Sequence, residues 1–200
     1  MIRAHRIRGG MMPKRPARCR MRQDADETQT GGTAPAVKIR RATGADIAVL
    51  YSVRPETKQP GYFERCLGEQ DENKRQVYLA AAGEKPAGYA HLVLMPRYRP
   101  FRQNDIPEIQ DLYVAPELRG AGIGTALVAH CEEEALRRGA AEIGIGVGLY
   151  RDYGAAQRLY VRRGYMPDGA GVVYDNIPVT PGEMRAVDDY LCLKLVKKLL

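Results

Sequence analysis

Apolar positions along the chain switch between a period of two and a period near 3.6, and the switches mark out strands and helices. Residues 37–41 read as a first strand. Thr43 stands as a helix cap, with Asp46 three residues on in a capping-box relation, and Ile47, Leu50 and Tyr51 mark the buried side of the helix that follows. Pro55 and Pro60 punctuate residues 54–61, which are expected to form a loop, and a short second helix covers residues 62–67. Residues 76–82 and 86–95, joined by a tight turn at 83–85, read as a hairpin. A long loop over 95–104 carries Arg97, Arg99 and Arg102, and a central strand runs over 107–114.

The clearest pattern lies in residues 111–138: a strand end, a glycine-rich turn and a long amphipathic helix. Leu112, Tyr113 and Val114 are strand formers, and Pro116 ends the strand because proline has no N–H for a ladder. Gly120, Gly122 and Gly124 alternate through the turn. Ile123, Leu127, Cys131 and Ala135 are four apart and share one helix face. Arg137 and Arg138 suit the negative end of the helix dipole, and Gly139 suits the stop.

A further strand over 142–147 carries Gly144, Gly146 and Gly148 on one face. Glycines weaken a strand, so either this strand is simply weak or a ligand or backbone lies against that face. Residues 152–163 form the next helix, packed through Ala155, Ala156, Leu159 and Tyr160. Gly164 ends it and Tyr165 begins a short strand. Residues 174–180 are loop-like, and residues 190–196 form a last strand with Leu191, Leu193 and Leu195 on one face. This order gives an α/β fold in which a mixed sheet carries helices on both faces.

Charge redraws the boundaries. The 200-residue chain has a net charge of +7, but residues 1–22 hold eight basic residues and no acidic one, so the remainder is nearly neutral. With the polar stretch over 23–35, the first 35 residues read as a disordered basic extension and linker, and the folded domain as 36–200. The tail lacks the apolar core of a secretory signal and the serines of a transit peptide; it is the one part suited to nonspecific contact with nucleic acid. Cys19, Cys66, Cys131 and Cys192 have no C-x-x-C spacing, and the histidines do not cluster near them, so no metal site is expected. Buried thiols in a reducing, cytoplasmic setting fit better. No apolar run is long enough to span a membrane.

The turn at 119–124 reads as an anion site. The first amides of a helix lack partners, glycines admit close approach, the dipole favours negative charge, and Arg119 adds a cation. The phosphate-loop lysine is absent. The dinucleotide fingerprint fails as well, because Leu127 or Thr125 stands where its third glycine would be. Arg119-Gly120-Ala121-Gly122-Ile123-Gly124 instead resembles the acyl-CoA loop of the GNAT N-acetyltransferase superfamily. The segment 155–165, AAQRLYVRRGY, resembles that family's second motif, and the resemblance spans about residues 37–195, as in bacterial single-domain members.

The resemblance implies a mostly antiparallel sheet of six to seven strands, splayed at its centre around a pantetheine arm, with acetyl-CoA as co-substrate and a small primary amine as acceptor. It implies cofactor contacts from Leu112, Tyr113, Val114, Arg119, Gly120, Ala121, Gly122, Ile123, Gly124, Thr125, Ala156 and Tyr160. Tyr160, in the family's Leu-Tyr motif, would be the general acid. Glu108, expected to share a strand face with Leu112, would be the base, with Asp111, expected on the other face unless a bulge shifts the register, or a water chain as competitors. Tyr153 replaces an asparagine common in the family. For the acceptor, Glu56, Glu64, Asp105 and Asp175 offer negative charge, and Tyr51, Tyr62, Tyr98 and Tyr174 an apolar wall. Two other functions are open: acetylation of a protein lysine or N-terminus, and a nonenzymatic CoA-sensing or nucleic-acid-tethered module. A homodimer is also open.

Overall fold

A computed structural model of the protein describes residues 36–55 and 59–200. The basic extension and linker expected over residues 1–35, Cys19 with them, and Glu56 lie outside the described residues. The elements are β1 (Val37–Arg41), α1 (Ile47–Val53), α2 (Tyr62–Asp71), β2 (Arg75–Ala82), β3 (Lys85–Val93), α3 (Arg99–Gln103), β4 (Glu108–Val114), α4 (Ile123–Arg137), β5 (Glu142–Gly148), α5 (Gly154–Arg162), β6 (Met166–Tyr174), β7 (Ile177–Pro178) and β8 (Leu191–Lys198).

The strands form one sheet in the order β1-β2-β3-β4-β5-β8-β6-β7. Every neighbouring pair is antiparallel except β4 with β5. Eight described strands exceed the expected six to seven because β6 runs for nine residues past Tyr165 and Ile177–Pro178 adds an edge to it. The arginine-bearing loop also differs from expectation: Arg99–Gln103 closes a helical turn, with Pro100 in its first turn, where the missing N–H costs nothing.

Both faces of the sheet are covered. α4 buries Ile123, Leu127, Val128, Cys131 and Ala135 against Ile109, Ile143 and Ile145. On the other face α1 and α2 bury Leu50, Phe63 and Leu67 against Val77, Leu79 and Tyr89. α1 is introduced as the sequence predicts: the Thr43 N–H and hydroxyl both donate to Asp46 Oδ2, at 2.8 and 3.0 Å. Arg40 donates to the same carboxylate. Those bonds hold the Asp46 carboxyl well below the usual range, Arg40 contributing most. Among the described residues no helix is long and apolar enough to cross a membrane.

Candidate active site

The sheet opens at its centre. β4 pairs with β5 only at Glu108↔Gly144 and Ile109↔Ile145, and beyond these residues the two strands part. The gap continues into a cleft of about 990 Å³. The Ala115 N–H bonds to Ala87 on β3 at 2.9 Å, so strand alternation turns the amides of Val114 and Leu112 toward the gap. Arg119 reaches back into the same region, its Nε donating to the Val114 carbonyl at 3.1 Å.

The glycine turn forms one end of the cleft. Gly120 and Gly122 both have φ of +81°, a left-handed conformation that a side chain would strain, and a Cβ at either would meet nothing within 4 Å. Open space above left-handed backbone at the start of a 15-residue helix is the form a phosphate-accepting cradle takes. The residues present therefore suit a pyrophosphate. Leu112, Tyr113, Val114, Arg119, Gly120, Gly122, Ile123, Gly124, Thr125, Ala156 and Tyr160 all line this one cleft; Ala121 does not. Tyr160 is 5% exposed, and burial pushes its hydroxyl up to about 12, so it keeps its proton at neutral pH.

Glu108 lies at the other end, in the floor. It is 1% exposed, yet it lines the cleft. Lys194 Nζ donates to its Oε1 at 2.5 Å and Gln110 Nε2 to its Oε2 at 2.8 Å. An ionised carboxylate offers about four lone-pair positions, and these two bonds take two of them. The expectation that Glu108 shares a face with Leu112 is overturned. The β3–β4 register slips between Tyr89 and His91 because β4 carries an extra residue, and Asp111 takes φ +47° there. Past the bulge Leu112 packs with the α4 core, whereas Glu108, opposite Val93, faces the side of α1 and α2.

The bulge also turns Asp111 into the cleft wall. The Asp111 carboxylate is held by Arg54, by the Tyr62 hydroxyl at 2.7 Å and by the Tyr89 hydroxyl at 3.0 Å. Burial, followed by the Asp111 charge, drives both tyrosine hydroxyls well above their ordinary range, so they remain donors.

The alternating glycines of β5 have a different reason from the one expected. A Cβ on Gly144 would stand 2.2 Å from the Phe101 ring, and one on Gly148 would stand 2.4 Å from the Tyr153 ring. At Gly146 the nearest atom is Lys194 Nζ, 3.3 Å away. The protein's own side chains cover that face, although Gly146 and Gly148 still reach the cleft. Tyr153 is thus seated on Gly148, and its hydroxyl donates to Asp189 at 3.0 Å.

Of the described residues offered for the acceptor, only Asp175 lines the cleft. Glu64 accepts from the Tyr51 hydroxyl, Tyr98 donates to Asp168, and Tyr174 donates to Asp188. The residues that sequence reasoning missed are Lys194, Gln110, Asn176 and Arg54. Lys194 did carry a signal: it is a lysine in mid-strand with apolar neighbours on both sides. Among the described residues no group of three or more His, Cys, Asp or Glu side chains is arranged to hold a metal ion.

Comparison with known proteins agrees with this geometry. Residues 45–165 match the family model described as the acetyltransferase (GNAT) family. An aminoalkylphosphonate N-acetyltransferase from Salmonella typhimurium is 44% identical over 136 residues, covering 66% of this chain and 86% of that protein. Among solved structures, a ribosomal-protein-alanine N-acetyltransferase from Brucella melitensis superposes with a TM-score of 0.61 at 21% identity, covering 80% of this chain and 99% of the other. An acetyltransferase from Salmonella typhimurium, solved with its cofactor acetyl-CoA, gives 0.59 at 20% identity, covering 82% and 94%. Those two likenesses establish the fold. With the family match covering more than half of its length, the chain belongs to the acetyltransferase (GNAT) family and is an N-acetyltransferase.

Proposed function

We propose that the protein moves the acetyl group of acetyl-CoA to the primary amine of a small molecule by direct attack. The observation that carries this reading is the single cleft, which joins the glycine cradle at the start of α4 to a buried carboxylate, Glu108, with Tyr160 on the wall between. The relative at 44% identity is named for aminoalkylphosphonates, so amines that also carry an anionic group are the first acceptors to test.

The steps follow from what each group can do. An alkyl ammonium, with a pKa of about 10.4, has no lone pair and must lose a proton before it attacks. Glu108 takes that proton. Amides of β4 turned toward the gap, at Leu112 and Val114, donate to the acyl oxygen as negative charge develops on it. Tyr160 gives its proton to the departing thiolate. Amides of residues 120–125 hold the pyrophosphate, with Arg119 bracing the turn.

The test is thiol release from acetyl-CoA over a panel of aminoalkylphosphonates, polyamines and peptides carrying lysine or a free N-terminus. Release driven by the small amines and absent with the peptides is expected; the reverse overturns the reading. Tyr160→Phe should lower kcat at least about a hundredfold, the usual scale of general acid catalysis, with little change in acetyl-CoA affinity measured by calorimetry. Unchanged turnover would remove Tyr160 from the acid role.

A further inference from the structure

Lys194 is 4% exposed, and burying an ammonium is costly unless it is paired. Two acceptor oxygens and an aromatic face surround it. Glu108 Oε1 lies 2.5 Å from Nζ, Asn176 Oδ1 lies 2.9 Å away, and Nζ stands 5.3 Å from the centre of the Tyr98 ring, where a cation is favoured. Asn176 reaches its position because the turn between β6 and β7 places it at φ +68°, which asparagine tolerates.

The route of the side chain is equally specific. Lys194 on β8 is the register partner of Gly146 on β5, and Glu108 is on β4, one strand further across. The lysine stem crosses β5 over Gly146, where a Cβ would stand 3.3 Å from Nζ. The crossing ends in the wall of the cleft, which Lys194, Asn176, Gly146 and Glu108 all line. A pair whose only task was to hold the sheet would not need to reach the reacting space.

We propose that Lys194 is a positioning residue for acetyl transfer: it holds the Glu108 carboxylate directed into the cleft, so that Glu108 can accept a proton from the acceptor ammonium. This rests on the reading of Glu108 as the base. The step is a plain proton transfer. An N–H bond of the ammonium breaks, its electron pair stays on nitrogen for attack, and an O–H bond forms on Glu108, while Lys194 keeps all its protons. The groups around the Lys194–Glu108 pair are Gln110 from the same strand as Glu108, Cys192 from β8, Tyr98 ahead of α3, with Asp168 beyond it, and Asn176 from the β6–β7 turn, which touches Lys194. Lys194 is the only cation in this group, so its removal leaves the carboxylate without a cationic partner there.

The experiment compares kcat against pH, at saturating substrates, for the wild type and four variants. Lys194→Met should lose more than tenfold in kcat at pH 7, with less than a threefold change in acceptor KM, and its acidic limb should move upward by more than one pH unit. Lys194→Arg should restore most of both. Lys194→Gln, which keeps a donor but no charge, should move the limb as Met does, and it serves if the Met variant fails to fold. A limb that stays in place in both neutral variants overturns the proposal and leaves a structural pair. Glu108→Gln separates the two ideas: if that variant retains the wild-type limb, the reading of Glu108 as base fails, whereas loss of the limb there with no movement in the Lys194 variants sinks only the role given to Lys194.

Discussion

Gly148 shows how a single missing carbon sets the local geometry. Its Cβ would stand 2.4 Å from a Tyr153 ring carbon, closer than carbon atoms approach without something moving. The ring is half-anchored from the far side, since its hydroxyl donates to Asp189. Gly148→Ala should therefore destabilise the fold by about 1–3 kcal/mol, the usual cost of overpacking. In a Tyr153→Ala background the same change should cost much less, because the clash is gone. A double-mutant cycle by urea denaturation reads this coupling, and additive effects would refute the steric account. The sequence showed that the β5 glycines share a face, because strand period alone fixes that. It did not show what fills the face, since Phe101 and Lys194 come from elements remote in the chain and Tyr153 folds back from the turn after β5, and no apolar pattern pairs any of them with residues 144–148.

The bulge in β4 is the element on which the site turns. It frees β4 from a regular ladder with β3, moves Leu112 to the α4 side and carries Asp111 to the side of α1 and α2. Asp111 sits at φ +47°, a conformation that costs an ordinary residue roughly 1–2 kcal/mol. Its carboxylate offsets that cost by gathering Arg54, Tyr62 and Tyr89 from three other elements. Asp111→Ala should lose both the bonds and the backbone tolerance, whereas Asp111→Gly loses only the bonds. The glycine variant should accordingly be the more stable of the two, by about 1 kcal/mol, in chemical denaturation. Equal stability would mean that the bulge relaxes when the carboxylate goes. The elements themselves were largely legible: β1, α4 and the hairpin follow from period and turn residues, and Ile123, Leu127, Cys131 and Ala135 are buried as their spacing requires. The bulge was not legible, because a one-residue slip leaves no mark in an apolar pattern only seven residues long. That slip is why the expected shared face of Glu108 and Leu112 failed while the strand itself was placed correctly.

At the scale of the molecule, the α2 side of the sheet encloses a polar network inside an apolar layer, and that makes stability depend on pH. His91 is fully buried between Tyr62, Phe63 and Tyr89. Its Nδ1 is 3.0 Å from Arg75 Nη1; the guanidinium can only donate, so Nδ1 accepts and the ring is neutral, with its proton on Nε2. Burial pulls its pKa from the ordinary 6.5 to about 4, with Arg75 and Arg54 pushing the same way and Asp111 opposing. In the unfolded chain His91 binds a proton near pH 6.5, while the folded protein refuses it until about pH 4. Between those values the unfolded state holds more protons, so stability falls as the pH falls, by on the order of 3 kcal/mol in all, and is insensitive to this group above pH 7. His130, half-buried against Tyr78, is shifted in the same direction. The lowered carboxyls of Asp46 and Glu132 act elsewhere on the scale: their contributions are complete above the ordinary carboxylate range and are lost only below it. Among the described residues with shifted groups, the interval from pH 6.5 to about 5 thus falls to His91 and His130. Unfolding free energies from urea titrations at pH 7.0, 5.5 and 4.5 should decline steadily for the wild type. His91→Gln should start lower, because it disturbs a packed site, yet decline much less over the same interval. A variant whose stability falls as steeply as the wild type would show that the acid sensitivity originates elsewhere, with His130→Gln as the next variant to measure.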